Sequence, residues 1–209
     1  VRHLDAFRKK AEADNQPLPI SISIGVDPAI EIASCFESPT TPLGYNELQI
    51  AGGLRDQAVE LVKCKTVDEY CIANAEYVIE GELLPRLRVR EDLNSNTGKV
   101  MPEFPGYSGP ANPSLPIIKV KAITHRKNPI MQTVIGPSEE HVSLAGIPTE
   151  ASILRMIEQA MPGKVLNVYC PSFGGGKFVA IIQFKKELPS DEGRQRQAAL
   201  LAFSAFSEL

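Results

Sequence analysis

The spacing of apolar and polar residues predicts a series of strands with short helices over the first two thirds of the chain. Ile20, Ile22 and Ile24 alternate with serines, which is typical of a strand with one buried face. Apolar residues recur at a helical period over residues 1–14. The pair Asp27-Pro28 resembles a helix N-cap followed by proline at the first helical position.

The same pattern predicts the remaining elements of this part of the chain. Short helices are expected at about residues 28–34 and 47–54, and further strands at about 58–64, 77–84, 115–126 and 130–135. The turn Lys127-Asn128-Pro129 separates the last two strands, so we expect them to form a hairpin. Strands joined in this way, with short helices at the rim, predict a small antiparallel barrel.

The pattern changes near Gly146. An amphipathic helix is expected over 148–161, strands at about 165–170 and 177–185, and a final helix capped by Ser190-Asp191-Glu192. We therefore predict an α+β fold with a barrel domain at residues 1–145. Residues 146–209 would form the beginning of a second, α/β domain.

Composition and charge narrow the function classes. A net charge of −3 at pH 7 over 209 residues favours neither nucleic acid nor an anionic membrane as a partner, and no apolar run is long enough to cross a bilayer. The four cysteines, which show no CxxC spacing, are expected to be reduced thiols of a cytoplasmic protein: Cys35, Cys64, Cys71 and Cys170. Because the chain opens and closes on predicted helices, at Val1 and Leu209, we expect a fragment of a longer protein.

The segment 91–109 is the strongest candidate for chemistry. It is a long connection between two predicted strands, and such connections are usually functional or disordered. Glu103 lies between Pro102 and Phe104. A desolvated carboxyl there would have a raised pKa suited to proton donation. A solvated loop glutamate is the alternative.

Other motifs point less clearly to chemistry. Gly174-Gly175-Gly176-Lys177 lacks the first glycine and the following helix of a phosphate loop, so we expect a glycine turn between strands. The histidines show no zinc spacing, which leaves open a hard-cation site built from distant parts, for example Glu47 with one histidine. Three alternating arginines are predicted to share one face, either as an anion site or as a solvated edge strand: Arg86, Arg88 and Arg90.

Taken in series, several motifs resemble the UbiD family of decarboxylases, which use prenylated FMN. They are VDPAIEIAS, ELQIAGGLR, AVELVKC, EYVIEGEL, EFPGYSG and ITHRKNPIMQT. The segments EFPGYSG and IGPSEEHVSLAGIPTEASIL are most similar to the branch that acts on gallate and 3,4-dihydroxybenzoate. The resemblance implies a split, flavin-reductase-like barrel followed by part of a C-terminal domain. It also implies a flavin prenyltransferase as cofactor supplier and a homo-oligomer.

The resemblance implies roles for particular residues. His3 and Glu47 match the ligands of a divalent metal, Mn²⁺ or Mg²⁺, that bridges to the cofactor phosphate, and Arg2 matches a cofactor contact. A turn that wraps the phosphate and a potassium ion corresponds to Ala33, Ser34, Cys35 and Phe36. The family's active-site arginine and its C-terminal lysine have no counterpart within this chain.

Four further residues match the family's substrate region. Glu103, which precedes Gly106-Tyr107, matches the proton donor. Glu91 is assigned to the first active-site glutamate by counting forward, although the usual EGPFGE pattern is absent. His141 and Leu144 match the substrate-facing region. The resemblance thus implies reversible, non-oxidative decarboxylation of a phenolic acid.

Two other functions stay open at this stage. A barrel of this kind is also compatible with an oxidoreductase that binds ordinary FMN, since fold does not fix function. The chain alone is equally compatible with a non-catalytic piece that supplies a site wall or an oligomer contact. We expect the isolated chain to be inactive.

Overall fold

The structure is a computed structural model that describes residues 2–36, 40–100 and 106–206. The helices in these ranges are α1 (Arg2–Ala13), α2 (Pro28–Ser34), α3 (Leu48–Arg55), α4 (Glu139–Ala160) and α5 (Arg194–Ala205). The strands are β1 (Leu18–Ile24), β2 (Leu61–Lys63), β3 (Tyr70–Ile72), β4 (Tyr77–Val89), β5 (Leu115–His125), β6 (Val165–Tyr169) and β7 (Ile181–Phe184). The content is therefore mixed α and β. Nowhere in these ranges is a helix both long and apolar enough for a bilayer crossing.

The chain divides into two compact units. The first comprises Val1–Ile30 and Leu48–Val134, and the second comprises Glu31–Glu47 and Ile135–Leu209. The short segment 31–47 thus belongs with the C-terminal part of the chain, and sequence pattern alone gave no sign of this.

The first unit is built on a three-stranded antiparallel sheet with the order β1-β4-β5. A separate two-stranded sheet, β2-β3, contributes to a small core of mostly apolar side chains: Cys64, Val67, Cys71, Ala75 and Val78. Together with β6-β7, these are separate sheets, so the described residues show no closed barrel.

One strand prediction was wrong, and another was longer than the strand that forms. No strand forms at 130–135 in the structure, because the Ile130 amide donates to the Glu76 carboxylate and its neighbours do not reach a core. Ile130 is 71% exposed and Met131 64% exposed. The hairpin across Lys127–Pro129 is therefore absent. The strand expected at 58–64 is limited to β2, and its partner β3 was not predicted.

The second unit has its core between α4, α5 and the β6-β7 pair. The buried side chains are Ile153, Ile157, Met161, Val165, Val168, Cys170, Ala198, Ala202 and Phe206. They recur at a helical period in α4, as the sequence pattern predicted. In β6 the buried residues Val165 and Val168 lie three positions apart, because a register shift against β7 between Val165 and Asn167 interrupts the strand alternation.

The boundaries of both long helices differ from the sequence prediction. Helix α4 begins nine residues before Pro148, because Ser138 caps it and Glu139 and Glu140 occupy its first turn. Pro148 therefore lies inside the helix, where it removes one backbone donor and its ring disfavours regular helix geometry. Helix α5 follows Gly193 and not Ser190-Asp191-Glu192, because Pro189–Asp191 form a separate 3₁₀ turn.

Candidate active site

His141 and Leu144 lie in the first turns of α4, in the second unit. The backbone N–H of His141 donates to the Ser138 hydroxyl at 3.2 Å, which fixes the start of the helix two residues before this histidine. Both side chains are half-buried. The Ser138 hydrogen bond thus fixes the backbone that carries His141, and part of this residue stays exposed to solvent.

The Ala33–Phe36 turn lies at the C-terminal end of α2. Ala33 is buried, and the Ser34 hydroxyl donates to the Glu31 carbonyl at 2.7 Å. The Cys35 and Phe36 amides donate back to Ile32 and Ala33. Backbone carbonyls concentrate at a helix C-terminus and carry partial negative charge, so this turn offers oxygen donors to a cation.

The two candidate metal ligands lie in different units. His3 is half-buried in α1, and Glu47 is half-buried directly before α3. Within the described ranges, no group of three or more His, Cys, Asp or Glu side chains is arranged to hold a metal. The side chain of Arg2 and all of Glu103 lie outside the described residues.

Glu91 braces the base of the long loop. Its carboxylate accepts from the Asn112 amide at 2.9 Å, and its own amide donates to the Asn112 carbonyl at 2.9 Å. Val100 and Gly109 continue this pairing toward the loop tip. The segment that carries Glu103 therefore starts and ends on a short antiparallel ladder.

The neighbouring Asp92 is the buried carboxylate of this loop, and sequence reasoning missed it. It is 4% exposed and accepts from the Gly98 amide at 2.7 Å. That amide and the Arg90 guanidinium hold the pKa of Asp92 below its usual value against the opposing effect of burial. An aspartate in an Asn-, Ser- and Gly-rich stretch is the sequence signal that could have indicated this turn.

The three arginines do not form one face. Arg86 has a positive φ of 60°, and the register of β4 against β5 shifts between Leu83 and Arg88. Arg88 pairs with Glu12 of α1, while Arg90 pairs with Asp92. The expected shared face is therefore wrong, because a bulge interrupts the alternation and the last two arginines serve separate ion pairs.

Glu80 is a second buried carboxylate that the sequence pattern did not single out. It accepts from the Lys65 amide at 3.0 Å, and from the amide and hydroxyl of Thr66 at 2.6 and 2.7 Å. Burial alone would raise the pKa of Glu80, yet these donors hold it below its usual value. Its position two residues after Val78 was the available signal, since alternate residues of a strand face the same side.

Buried thiols provide no nucleophile in the described residues. Burial raises the pKa of Cys64 to about 11, with Cys71 adding to the effect. Burial and the nearby Glu150 carboxylate raise the pKa of Cys170 to about 11. Thiols with such pKa values are almost entirely protonated near neutrality and react slowly.

The Gly174–Gly176 segment is a turn, as predicted, and not a phosphate loop. Ser172–Gly174 form one 3₁₀ turn, and Gly175 and Gly176 follow with positive φ. The strand after it begins only at Ile181, later than the predicted residue 177.

The first unit has a cavity of about 260 Å³ that the sequence did not indicate. It is lined by Gly25, Val26, Asp27, Ile30, Arg55, Val59, Glu60, Ile72, Asn74 and Glu76.

Sequence comparison decides the family. Residues 1–139 match the UbiD profile, described as the 3-octaprenyl-4-hydroxybenzoate carboxy-lyase Rift-related domain. Residues 142–209 match the profile of the C-terminal domain of the same carboxy-lyase. The chain belongs to the UbiD family.

Individual UbiD relatives are similar over the whole chain. A gallate decarboxylase from Lactiplantibacillus plantarum is 63% identical over 208 residues, covering 100% of this chain and 42% of that protein. The apo 3,4-dihydroxybenzoic acid decarboxylase from Enterobacter cloacae is 62% identical with a TM-score of 0.88, covering 99% of this chain and 42% of that one. The chain thus spans about two fifths of the length of these relatives.

A third relative has been solved with the modified flavin. It is an evolved dimeric form of the UbiD-class enzyme HmfF from Pelotomaculum thermopropionicum in complex with prFMN. It is 40% identical with a TM-score of 0.88, covering 99% of this chain and 45% of that one. The backbone described here is therefore close to that of an enzyme that carries this cofactor.

Proposed function

We propose that the protein containing this chain decarboxylates a phenolic aromatic acid, 3,4-dihydroxybenzoate or gallate, reversibly and without net oxidation, using prenylated FMN. The observation that carries this proposal is the 63% identity to a gallate decarboxylase over the full length of the chain. The 62% identity to a 3,4-dihydroxybenzoic acid decarboxylase supports the same substrate class.

The residues present fit the cofactor at its phosphate end. The turn formed by Ala33, Ser34, Cys35 and Phe36, at the end of α2, would hold a potassium ion through its backbone carbonyls and the cofactor phosphate with it. Arg2 is proposed as a further cofactor contact. When bound, prenylated FMN supplies a sink for the electrons released as carbon dioxide leaves.

His3 and Glu47 are each proposed as a ligand of a divalent cation, Mn²⁺ or Mg²⁺. These side chains would supply only two protein ligands, one imidazole and one carboxylate. Such cations commonly fill their remaining coordination positions with water and with phosphate oxygens of a bound ligand. The proposed task of the metal is to anchor the phosphate.

The reacting carbon needs a proton after carbon dioxide leaves. Glu103 is proposed to donate it, with Glu91 as the second active-site carboxylate. His141 is proposed to hydrogen-bond a phenol oxygen of the substrate, and Leu144 to line the site beside it. The firm capping of α4 supports the role of His141, because general acid–base and orienting groups need a defined position.

The finer architecture and the setting are part of the same proposal. Residues 1–145 are proposed to contribute to a split barrel, supported by the β1-β4-β5 sheet, and residues 146–209 to begin the C-terminal domain. We also propose a homo-oligomer, a flavin prenyltransferase as cofactor supplier and a cytoplasmic location. No observation favours the ordinary-FMN oxidoreductase.

The test uses the full-length parent protein, produced together with a flavin prenyltransferase. The bound flavin is extracted, and its mass is determined by mass spectrometry. Carbon dioxide release is then measured with 3,4-dihydroxybenzoate, gallate and unsubstituted benzoate as substrates. The proposal expects prenylated FMN and release from a phenolic acid only. Bound ordinary FMN, or prenylated FMN without release from either phenolic acid, would contradict it.

A further inference from the structure

The glycine turn after β6 lies directly against the first turns of α4. A Cβ atom on Gly176 would lie 2.6 Å from the Val142 carbonyl oxygen and 2.9 Å from the Gly146 nitrogen. Gly146 is tightly packed from the helix side as well, since a Cβ there would lie 3.3 Å from the Cys170 carbonyl oxygen. The helix and the turn thus meet backbone against backbone, an approach that a side chain at Gly176 would block.

The turn is itself held in one conformation. The Pro171 carbonyl accepts from the Gly174 and Gly176 amides at 3.0 and 3.2 Å, and the Ser172 carbonyl accepts from Gly175 at 2.9 Å. The three glycines are buried. Gly176 has a φ of +73°, so a side chain at this position meets backbone strain as well as the helix.

A second tether joins the same two elements. The Glu150 carboxylate, about one turn after Gly146 in α4, accepts from the Cys170 amide at 2.8 Å. The Gly146–Gly176 contact and this hydrogen bond together fix both the distance and the rotation of α4 relative to the turn. The first turns of α4 carry His141, which immediately precedes Val142.

We propose that Gly176, with Gly146 and Glu150, is a positioning residue that sets where the His141 imidazole meets the substrate. The inference rests on the proposed function for its effect on turnover. A helix displaced by about an ångström is enough to cost roughly 100-fold in rate when an orienting group moves with it. The Gly174–Gly176 turn thus serves the site through the helix that it supports.

The test compares Gly176→Ala with Gly163→Ala in the full-length protein loaded with prenylated FMN. Gly163 is the matched control, because its φ is +71° but nothing lies within 4 Å of an added Cβ. We expect Gly176→Ala to lower kcat/KM by roughly 100-fold and the control by less than about threefold. Equal effects of the two variants would overturn the proposal.

A double-mutant cycle separates positioning from a general loss of structure. If Gly176 acts through His141, Gly176→Ala should cost almost nothing further in a His141→Ala background. Losses that multiply in the double variant would mean that Gly176 acts elsewhere. Where Gly176→Ala does not fold, Glu150→Ala replaces it, and Glu150→Gln, whose amide oxygen can still accept from Cys170, should restore turnover.

A spectroscopic measurement keeps this inference distinct from the proposed function. The imidazole NMR signal of His141, assigned by its loss in His141→Gln, should shift in Gly176→Ala and stay in place in Gly163→Ala. An unmoved signal in Gly176→Ala would overturn the positioning role even if the protein is a decarboxylase. If the signal shifts but the protein releases no carbon dioxide, Gly176 still positions His141 and the proposed function is wrong.

Discussion

The Glu80 carboxylate lies 2.6 Å from the Thr66 amide nitrogen and also accepts from the Thr66 hydroxyl. This relationship ties the β2–β3 turn to the central strand of the first unit's sheet. Glu80 is 1% exposed, so its charge depends on these donors. A buried carboxylate with several donors is a structural anchor here, which explains why a charged residue lies among apolar neighbours.

Replacing Glu80 by Gln should destabilise the protein by ~2 kcal/mol. The glutamine NH₂ group cannot accept from the amides of Lys65 and Thr66, so at least one of these hydrogen bonds is lost. Urea unfolding of the full-length protein measures this. Glu82→Gln is the control on the same strand, since Glu82 forms a partly exposed pair with Lys121 and should cost less than ~1 kcal/mol. Similar losses in both variants would contradict the anchoring role.

Asp191 should make stability dependent on pH at the acid end. Lys164 and the amides of Glu187 and Leu188 hold the pKa of Asp191 well below its usual range. Its stabilising effect is therefore complete above the unfolded-state value, about pH 4, and is lost as the pH falls from there toward the lowered pKa.

The measurement for Asp191 is the free energy of unfolding between about pH 6 and pH 3 in the wild type and in Asp191→Asn. The wild type should lose more stability on acidification than Asp191→Asn does. When the wild type unfolds, the Asp191 carboxylate takes up a proton, and the asparagine variant lacks this group. The control is Glu158→Gln, which should keep the wild-type slope, because the Glu158 carboxylate accepts from a single backbone amide among the described residues, that of the exposed Gly163. A slope unchanged in Asp191→Asn would reject this account.

The sequence predicted helices and strands best where one periodicity dominates. The alternation in β1 and the helical period in α1 correspond closely to the observed elements. Prediction failed where a single contact outweighed the pattern. At Ile130, the Glu76 carboxylate takes the amide that a ladder would have used. The Asp191 carboxylate accepts hydrogen bonds from Lys164 and from the amides of Glu187 and Leu188, so it does not cap the final helix.

The candidate site was accessible from the sequence only through its resemblance to UbiD decarboxylases. His3 and Glu47 lie 44 positions apart in the chain and show no local ligand spacing, so no periodicity connects them. The support of His141 by Gly176 was equally hidden, because close backbone contact between distant glycines leaves no pattern in the sequence. The sequence shows the run of glycines, but only the structure shows that this run packs against α4.

His3→Ala and Glu47→Ala should each lower the amount of bound flavin by at least tenfold, because loss of one metal ligand weakens anchoring of the phosphate. The flavin-to-protein ratio after gel filtration measures this. His125→Ala is the matched histidine control, since His125 is exposed at the end of β5 and contacts the Arg126 carbonyl. Full retention of flavin in either ligand variant would refute that residue's role.

Glu91→Gln gives a clean test of the second carboxylate. A glutamine oxygen can still accept from the Asn112 amide, so the brace at the base of the loop should survive. The account expects turnover to fall by roughly 100-fold while unfolding stability stays within about 0.5 kcal/mol. Unchanged turnover would restrict Glu91 to the structural brace.

The most direct test of the central claim is carbon dioxide release from 3,4-dihydroxybenzoate and gallate by the full-length, cofactor-loaded protein, with Glu103→Gln measured beside it. The account predicts release by the wild type and none above background by the variant, with equal amounts of prenylated FMN bound to both. Release that persists in Glu103→Gln would remove the proposed proton donor. No release by the loaded wild type from either acid would contradict the proposed reaction itself.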